Sequence, residues 1–257
     1  MKLERYGPWA LIVGGSEGVG ASFARKLAAA GFNLVLIARK PGPLEALAQA
    51  LRSEHPTEVR TASIDLSRPD ALDQVRAVTD DVEVGLLIYN AGANNTRGDF
   101  VSLAPDVYRS VIAVNVIGQT EFAHHFGARM RDRGRGGIIL MGSLAGYIGT
   151  PSLAAYCGSK AFSRVFSEAL WLECAGFGVD VLHLNIGFTR TPAMARLGYV
   201  LDDAQDPDVV AQEGIDHITH GPVWISGGPA NEAAALRNAS AMPRDAAVRA
   251  TVTPPRK

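Results

Sequence analysis

Short apolar runs alternate with segments of helical periodicity along most of this chain, and this alternation constrains the fold more than any other sequence feature. The run 33–38 is almost wholly apolar, as expected for a parallel strand that is covered on both faces. The predicted strands are 9–13, 33–38, 58–64, 84–89, 137–141, 179–185 and 223–226. The predicted helices are 18–30, 43–54, 69–79, 105–133, 154–174 and 208–217.

Such an alternation predicts an α/β fold, a parallel sheet with helices on both faces. Because crossovers between parallel strands are right-handed, few topologies remain, and a Rossmann-type doubly wound sheet is favoured. No linker divides the 257 residues, so we expect a single domain over 1–257. The pattern weakens at about 192–207, where we expect a substrate lid. Over 227–257 we expect a surface helix and then, from about 240, a frayed tail.

Composition and charge exclude several function classes. The chain is 47% hydrophobic and 20% charged with a net charge of -1, which gives no attraction to nucleic acid or to a membrane surface. No apolar stretch approaches the ~20 residues of a membrane helix. An arginine cluster over 129–135 closes the long predicted helix, and we interpret it as a solvated helix end rather than a phosphate site.

The cysteines and histidines predict neither a disulfide nor a metal site. Cys157 and Cys174 lie on one predicted helix, about 25 Å apart, which is beyond disulfide reach. We therefore expect a reduced, cytoplasmic chain. His124 and His125 lack further ligands at suitable spacing, so we expect no metal, and His183 on the sixth strand is predicted to be a core histidine.

A glycine-rich turn, Gly14-Gly15-Ser16-Glu17-Gly18-Val19-Gly20, follows the first strand and opens the first long helix. Glycine lets the backbone approach a pyrophosphate, and the helix N-terminus supplies N–H donors. The spacing differs from the commoner Gly-x-Gly-x-x-Gly, and a plain strand–helix turn is the alternative. The position after the first strand favours a dinucleotide site. The predicted contacts there are Gly14, Ser16, Gly18, Val19 and Gly20.

The end of the second strand, which usually contacts the ribose of the cofactor, carries two basic residues and no acidic residue. Arg39 and Lys40 follow the apolar run, and a guanidinium pairs with phosphate through two hydrogen bonds. We therefore favour NADP(H) over NAD(H), with Arg39 as the main 2′-phosphate contact and Ser16 as a second; Glu17 opposes this with a negative charge. Asp65-Leu66 ends the third strand, where the carboxylate either accepts from the adenine amine or caps the next helix.

Tyr156 and Lys160 lie one helical turn apart on a predicted helix, so they share a face, and Ser143 precedes that helix. An ammonium beside a phenol favours the phenolate and lowers its pKa. Such a tyrosine gives a proton to an alkoxide, or takes one from an alcohol, as hydride moves. The sequence thus predicts an oxidoreductase acting on a small-molecule carbonyl or alcohol substrate.

These motifs together resemble the short-chain dehydrogenase/reductase family over roughly residues 7–226. Tyr89-Asn90-Ala91-Gly92 is similar to its Asn-Asn-Ala-Gly motif, and the segment 186–191 to its Pro-Gly-x-x-x-Thr segment, which binds the nicotinamide carboxamide. Val13, Tyr89 and Ile186 depart from the family pattern. The resemblance implies the catalytic residues Asn115 (which holds a water of the proton relay), Ser143, Tyr156 and Lys160. It implies the further cofactor contacts Asn90, Ala91, Gly92, Tyr156, Lys160, Gly187, Thr189 and Thr191.

The start of the chain, Arg5-Tyr6-Gly7-Pro8-Trp9, with the glycine turn and Arg39, is similar to NADP-dependent bacterial hydroxysteroid dehydrogenases, a weaker likeness than that to the family. The resemblance to the family also implies a homodimer or homotetramer built on the long helix and the tyrosine helix.

Apolar side chains in and near the expected lid predict a pocket for a bulky or apolar ketone, such as a steroid-like ketone, although they would equally serve to pack the lid. They are Met194, Leu197, Tyr199, Val200, Leu201, Leu144, Ile148 and Leu153. Two other functions stay open. One is reduction of a 3-ketoacyl thioester, and the other is a non-catalytic NADP(H)-sensing regulator, which the presence of both Tyr156 and Lys160 disfavours.

Overall fold

A seven-stranded parallel sheet forms the centre of the molecule, with strand order β3-β2-β1-β4-β5-β6-β7. The computed structural model describes residues 3–92, 98–199, 202 and 204–250. The order reverses between β1 and β4, so the predicted doubly wound, Rossmann-type sheet is confirmed. The strands are β1 (Trp9–Val13), β2 (Asn33–Ala38), β3 (Val59–Ser63), β4 (Val84–Tyr89), β5 (Gly136–Met141), β6 (Val179–Asn185) and β7 (Val223–Ile225).

Helices cover both faces of the sheet, which explains why β1, β4 and β5 are buried along their whole length. The helices are α1 (Leu3–Tyr6), α2 (Gly18–Ala29), α3 (Pro41–Glu54), α4 (Ala71–Arg76), α5 (Pro105–Ile112), α6 (Gln119–Arg133), α7 (Ala154–Cys174), α8 (Pro192–Arg196), α9 (Pro207–His217), α10 (Gly228–Ser240) and α11 (Arg244–Arg249). Helices α2, α3 and α9 share one core with the sheet, and α4, α6 and α7 share the other.

The long helix predicted over 105–133 is interrupted by a π-helical turn, Ala113–Gly118, between α5 and α6. The buried hydroxyl of Tyr89 donates a 2.7 Å hydrogen bond to the Val114 carbonyl inside this turn. A Cβ on Gly118 would lie 2.5 Å from that hydroxyl. The wider turn and the glycine therefore make room for the phenol, and π-turns of this kind are frequent at functional sites.

The remaining elements follow the predicted order with shifted ends. The helix predicted over 69–79 is only Ala71–Arg76, and the lid region begins with the short helix α8. Within the segment from 240 where we expected a frayed tail, Arg244–Arg249 is helical, and 251–257 lies outside the described residues. Across the described part of the chain, no helix has the length and apolar character needed to cross a membrane.

Candidate active site

The glycine turn between β1 and α2 is packed against the end of β4. The φ angle of Gly14 is +85°, and the Asn90 side chain donates a 2.8 Å hydrogen bond to the Gly14 carbonyl. A Cβ on Gly14 would lie 2.8 Å from the Ala91 nitrogen, and a Cβ on Gly20 only 2.1 Å from the Gly14 oxygen. Close packing of the turn against the end of β4 and on itself therefore requires glycine at both positions. The turn leads into the start of α2, where the first N–H groups of a helix lack intrahelical partners. A glycine turn that leads into a helix N-terminus fits a dinucleotide pyrophosphate.

The negative charge of Glu17 in this turn is paired with a residue of the lid. Its carboxylate accepts two hydrogen bonds from Arg196 of α8, at 2.9 and 2.5 Å, and lies 4.0 Å from Lys40. The hydrogen bond from Arg196 is the main reason that the pKa of Glu17 lies below its ordinary value. The lid also touches the turn through Thr191, whose Cγ2 would lie 2.9 Å from a Cβ on Gly18. Sequence reasoning missed Arg196 because its partner lies far away along the chain.

Arg39 lies exposed at the end of β2, and among the described residues no carboxylate forms an ion pair with it. Asp65 Oδ1 instead accepts from the backbone and side chain of Ser67, at 3.0 and 2.7 Å. These hydrogen bonds lower the pKa of Asp65. They close a local turn and do not cap a helix, because the next helix, α4, begins at Ala71 with Asp70 at its N-cap position. The capping alternative is therefore wrong, and the adenine contact stays a prediction for Asp65. Leu66 is partly buried against the core, and Ser16 is half-buried in the turn.

Helix α7 carries Tyr156 and Lys160 to the carboxyl edge of the sheet. Lys160 is 6% exposed, and its Nζ lies 5.9 Å from the centre of the Tyr156 ring. It donates a 2.7 Å hydrogen bond to the carbonyl of Met141, the last residue of β5. Ser143 lies two residues after the end of β5 and is hydrogen-bonded to Tyr156, so strand and helix bring the three predicted residues to one place.

The pKa of Tyr156 departs from our expectation. We expected the neighbouring ammonium to lower it, but burial raises the pKa of Tyr156, and the opposing hydrogen bond with Ser143 is the smaller influence. Burial also lowers the pKa of Lys160 from 10.5 to about 8. A lysine that is itself desolvated and bonded to a backbone carbonyl does not offset the desolvation of the phenol.

Asn115 lies buried in the π-helical turn, and its side chain holds α7. Its Nδ2 donates a 3.0 Å hydrogen bond to Ser159 Oγ, which in turn donates to the Tyr156 carbonyl at 2.7 Å. A Cβ on Gly92 would lie 3.7 Å from Lys160 Nζ and 3.8 Å from Asn115 Oδ1, so the Tyr89–Gly92 segment ends at the same site. Sequence reasoning did not single out Ser159.

The segment 186–191 crosses the same edge after β6. The Gly187 N–H donates a 2.9 Å hydrogen bond to the Gln205 side chain, and Thr189 donates to the Gly187 carbonyl at 3.2 Å. Thr191 accepts from the Met194 N–H at 3.2 Å and so caps α8. Gln205 fixes the far end of the lid and was not predicted.

Two cavities flank this edge. One, of about 200 Å³, is lined by Phe188, Thr189, Arg190, Thr191, Met194, Ala195, Tyr199 and Ala204. A narrower cleft reaches Tyr156 and is lined by Gly98, Phe100, Leu103, Tyr108, Val111, Ser152, Leu153, Ala154, Ala155 and Tyr156. Of the predicted pocket residues, Met194, Tyr199 and Leu153 line these cavities, whereas Leu144, Ile148 and Leu197 line neither. Val200 and Leu201 lie outside the described residues.

The arginine cluster at the end of α6 is engaged by neighbouring groups. Arg129 pairs with Asp80 at 2.7 Å, and Arg135 pairs with Glu83 at 2.6 Å. Arg131 lies over the Phe177 ring, 4.3 Å from its centre. This fits the interpretation as a solvated helix end. Over the same described ranges, no three His, Cys, Asp or Glu side chains are grouped to hold a metal ion.

Sequence comparisons group this chain with one family of proteins. The sequence model of the short chain dehydrogenase family matches residues 8–199. A 7β-hydroxysteroid dehydrogenase of Clostridium sardiniense is 32% identical over 208 residues, which cover 81% of this chain and 77% of that protein. A very-long-chain 3-oxoacyl-CoA reductase of Neurospora crassa is 35% identical over 200 residues, which cover 76% of this chain and 60% of that protein.

Solved structures give the same grouping. A structure from work on 7β-hydroxysteroid dehydrogenase stereoselectivity superimposes with a TM-score of 0.90 and 28% identity, covering 97% of this chain and 98% of that one. A short-chain dehydrogenase from Sphingobium yanoikuyae in complex with NADPH superimposes with a TM-score of 0.80 and 30% identity, with the same coverage of both chains.

Proposed function

The chain belongs to the short-chain dehydrogenase family of oxidoreductases, and on this premise we propose that it uses NADP(H) to interconvert a bulky, apolar ketone and its secondary alcohol. One observation carries the proposal. Tyr156 and Lys160 share a face of α7, and Lys160 is bonded to the end of the strand that leads into Ser143. A proton donor, a buried cation and a hydroxyl therefore converge beside a turn that fits a dinucleotide.

A nicotinamide held at this site would supply or accept the hydride. In the reducing direction Ser143 donates a hydrogen bond to the substrate carbonyl and orients it. Tyr156 gives its phenolic proton to the oxygen as negative charge develops there. Lys160 lies 5.9 Å from the tyrosine ring and places positive charge beside the phenolate that remains. Asn115 is linked through Ser159 to the Tyr156 carbonyl and so holds the turn of α7 that follows Tyr156. Its family role as a water ligand in the proton relay stays part of the proposal.

The preference for NADP(H) rests on the charges at the end of β2. Arg39 and Lys40 are exposed there, and Glu17, the opposing charge, is engaged by Arg196 and Lys40. A 2′-phosphate would thus meet the exposed guanidinium of Arg39 and a carboxylate whose charge is already paired. The NADPH complex of the Sphingobium dehydrogenase supports the same preference. Gly14, Gly18, Val19, Gly20, Asn90 and Thr191 would line the rest of the cofactor site.

The substrate class rests on the cavity under the lid. Phe188, Met194 and Tyr199 give it an apolar and aromatic wall, and the rings of Phe188 and Tyr199 lie 5.8 Å apart. A rigid apolar ketone would remove this surface from water on binding. The similarity to a 7β-hydroxysteroid dehydrogenase supports a steroid-like substrate.

Reduction of a 3-ketoacyl thioester is the second candidate, because 3-oxoacyl-CoA reductases are among the relatives. A basic docking patch for an acyl-carrier protein would favour it. The arginine cluster at the end of α6, the candidate for such a patch, is engaged by Asp80, Glu83 and Phe177. We therefore rank this function second, and a cofactor-sensing role third because Tyr156 and Lys160 are both in place.

We also propose that the chain assembles as a homodimer or homotetramer through α5, α6 and α7. Helix α5, the π-turn and α7 expose large apolar side chains, namely Ile112, Ile117, Phe162, Val165 and Leu172, of which Leu172 is 67% exposed. Covering them would remove apolar surface from water. Light scattering that finds only monomer would contradict this. The free, buried cysteines suit the reducing compartment that we propose, the cytoplasm.

The test is a turnover assay with NADPH and, in parallel, NADH, across ketosteroids, aryl ketones, aldehydes and 3-ketoacyl esters. We expect turnover with NADPH and a bulky ketone, and Tyr156→Phe to lower it by roughly 10²–10⁴-fold while NADPH still quenches protein fluorescence. Turnover of 3-ketoacyl esters alone would establish the second candidate. NADPH binding without turnover of any carbonyl would contradict the enzymatic proposal.

A further inference from the structure

Four buried polar side chains form a line behind the catalytic helix, outside every motif used above. They are Gln119 on α6, Ser163 on α7, and His183 and Asn185 on β6; Gln119 is 2% exposed and the others 0%. Buried polar groups lower stability unless they are hydrogen-bonded, and even then they specify geometry more than they add stability. Their continuous arrangement therefore needs an explanation.

The hydrogen bonds of this buried line have a defined direction. Ser163 Oγ donates its only proton to Gln119 Oε1 at 2.8 Å. It must therefore accept from His183 Nε2, 3.0 Å away, which places the imidazole proton on Nε2. His183 Nδ1 is then an acceptor for the Asn185 Nδ2 donor, also at 3.0 Å. These hydrogen bonds connect α6, α7 and β6, and they require the His183 tautomer that carries its proton on Nε2.

The pair Gln119–Ser163 repeats the pair Asn115–Ser159 one helical turn further along both helices. In each pair the two residues are 44 positions apart in the chain, and the bonded atoms lie 2.8 and 3.0 Å apart. Residues one turn apart share a helix face. The two bonds are therefore neighbouring cross-links between the same helices, one beside Lys160 and the next directly behind it.

The strand end of the line reaches the residue before Ser143. A Cβ on Gly142 would lie 2.3 Å from His183 Cε1 and 2.5 Å from Asn185 Oδ1, so these side chains fill the space behind Gly142. The Gly142 N–H donates to the Leu184 carbonyl at 2.7 Å, between the two network residues of β6. His183 is thus in contact with the backbone that leads into Ser143 and bonded to the helix that carries Tyr156.

We propose that His183 is a positioning residue, which sets the distance between the Tyr156–Lys160 helix and the strand end that carries Ser143. The proposal rests on the proposed function, because it assigns a purpose to this spacing. The hydrogen bonds to Ser163 and Asn185 hold the two sides together, and the imidazole ring holds them apart. A displacement of about 1 Å at a reacting centre costs on the order of 10²-fold in rate.

His183 acts as a neutral spacer rather than as a titrating group. Burial is the main cause that lowers its pKa to about 3, and the charges of Lys160 and Arg164 act in the same direction. The hydrogen-bond partners of the imidazole, Ser163 and Asn185, are an uncharged hydroxyl and an uncharged amide. Its hydrogen-bonding pattern is therefore the same across the pH range in which the enzyme would work.

The test compares Ser163→Ala with Ser167→Ala, its matched control. Ser167 is equally buried, lies one turn further along α7, and donates only to the Ser163 carbonyl at 2.7 Å. We expect Ser163→Ala and His183→Leu to lower kcat by roughly ten- to a hundredfold with the KM for NADPH changed less than about threefold. Ser167→Ala should keep kcat within about twofold. Equal kcat in the two serine variants, measured on fully folded protein, would overturn the proposal.

Two conservative substitutions of His183 distinguish a positioning role from a general loss of packing. His183→Gln keeps an N–H donor near the place of Nε2, whereas His183→Asn keeps a group only near Nδ1. His183→Gln should recover most of kcat, and His183→Asn should not. The reverse order, or an equal loss of kcat in both variants, would contradict a role for the hydrogen bond from His183 to α7.

Hydrogen exchange over 140–146 and 154–160 tests the same link without any substrate. Faster exchange is expected there in Ser163→Ala and not in Ser167→Ala. If the parent protein turned over no carbonyl, the proposed function would fail while this exchange difference still decided whether His183 positions the two segments.

Discussion

The hydroxyl group of Tyr89 donates a 2.7 Å hydrogen bond to the backbone carbonyl of Val114, inside the π-helical turn that contains Asn115. Tyr89 stands where the family motif has its first asparagine, and its ring is buried edge-on against Phe122. Burial raises the pKa of Tyr89, so the phenol remains a donor. A bulky replacement at the end of β4 is therefore matched by a locally widened helix.

Tyr89 and Gly118 should show strong energetic coupling. Tyr89→Phe leaves the Val114 carbonyl without its donor and should cost about 1–3 kcal/mol of unfolding free energy. Gly118→Ala places a Cβ 2.5 Å from the hydroxyl and should cost a similar amount, about 1–3 kcal/mol. In the double variant the nearest ring atom would be 3.6 Å away, so the combined cost should fall short of the sum by about 1 kcal/mol or more. Urea unfolding measures all three.

Gly127→Ala is the matched control for this cycle. Gly127 is a buried glycine of α6, and its added Cβ would make only a 3.4 Å contact with Ile138. Its effect should be small and should simply add to that of Tyr89→Phe. Additive costs for Tyr89→Phe and Gly118→Ala would show that the hydroxyl does not set the shape of the turn.

Lys160→Met should give a more stable and nearly inactive protein. Burial lowers the pKa of Lys160 from 10.5 to about 8, so at pH 7 the folded state holds a desolvated ammonium. Removing it should raise the unfolding free energy by roughly 1–3 kcal/mol, the lost hydrogen bond to Met141 offsetting part of the gain.

The advantage of Lys160→Met should shrink as the pH rises. Between about pH 8 and 10.5 the unfolded parent binds the proton that the folded parent has released, so the parent gains stability with pH in that window. Below pH 8 both states are protonated and the difference is constant. Urea unfolding of both proteins from pH 6.5 to 9.5 checks this, and a gap independent of pH above 8 would disprove a buried, charged Lys160.

Arg39→Ala should weaken NADPH binding and leave NADH binding almost unchanged. Loss of a charge-assisted, two-point contact with a 2′-phosphate should raise the KM for NADPH roughly ten- to a hundredfold. Arg25→Ala, which removes an exposed arginine of α2, is the control for general charge effects. Equal effects on both cofactors would remove Arg39 from the phosphate site.

The Glu17–Arg196 pair should hold the lid helix on the glycine turn. Its atoms are 2.9 and 2.5 Å apart, but the Arg196 side chain is 48% exposed, so the pair should contribute modestly and be weakened by salt. Arg196→Glu should speed hydrogen exchange over 192–199 by roughly two- to fivefold. Adding Glu17→Arg should restore protection, whereas Arg237→Glu on α10 should change nothing. If the charge exchange failed to restore protection from hydrogen exchange, the Glu17–Arg196 pair would not be what holds the lid helix on the glycine turn.

Local patterns predicted most of the fold. The strand ends 9–13, 33–38, 84–89 and 179–185 agree with β1, β2, β4 and β6, because continuous apolar runs bounded by turn residues leave little freedom in a covered parallel sheet. The helix predicted over 154–174 agrees with α7. The π-turn was missed because the Tyr89 hydroxyl, which donates a hydrogen bond to it, lies on a different element.

The sequence by itself determined the order of strands and helices, the glycine turn and the one-turn spacing of Tyr156 and Lys160, since each depends on neighbours in the chain. Only the tertiary structure decided which groups surround them. It placed Lys160 on the Met141 carbonyl and raised the pKa of Tyr156 through burial, against our expectation. It also joined Glu17 to Arg196 and His183 to Ser163. Desolvation and long-range hydrogen bonds depend on packing between distant segments, and a local pattern carries no record of that packing.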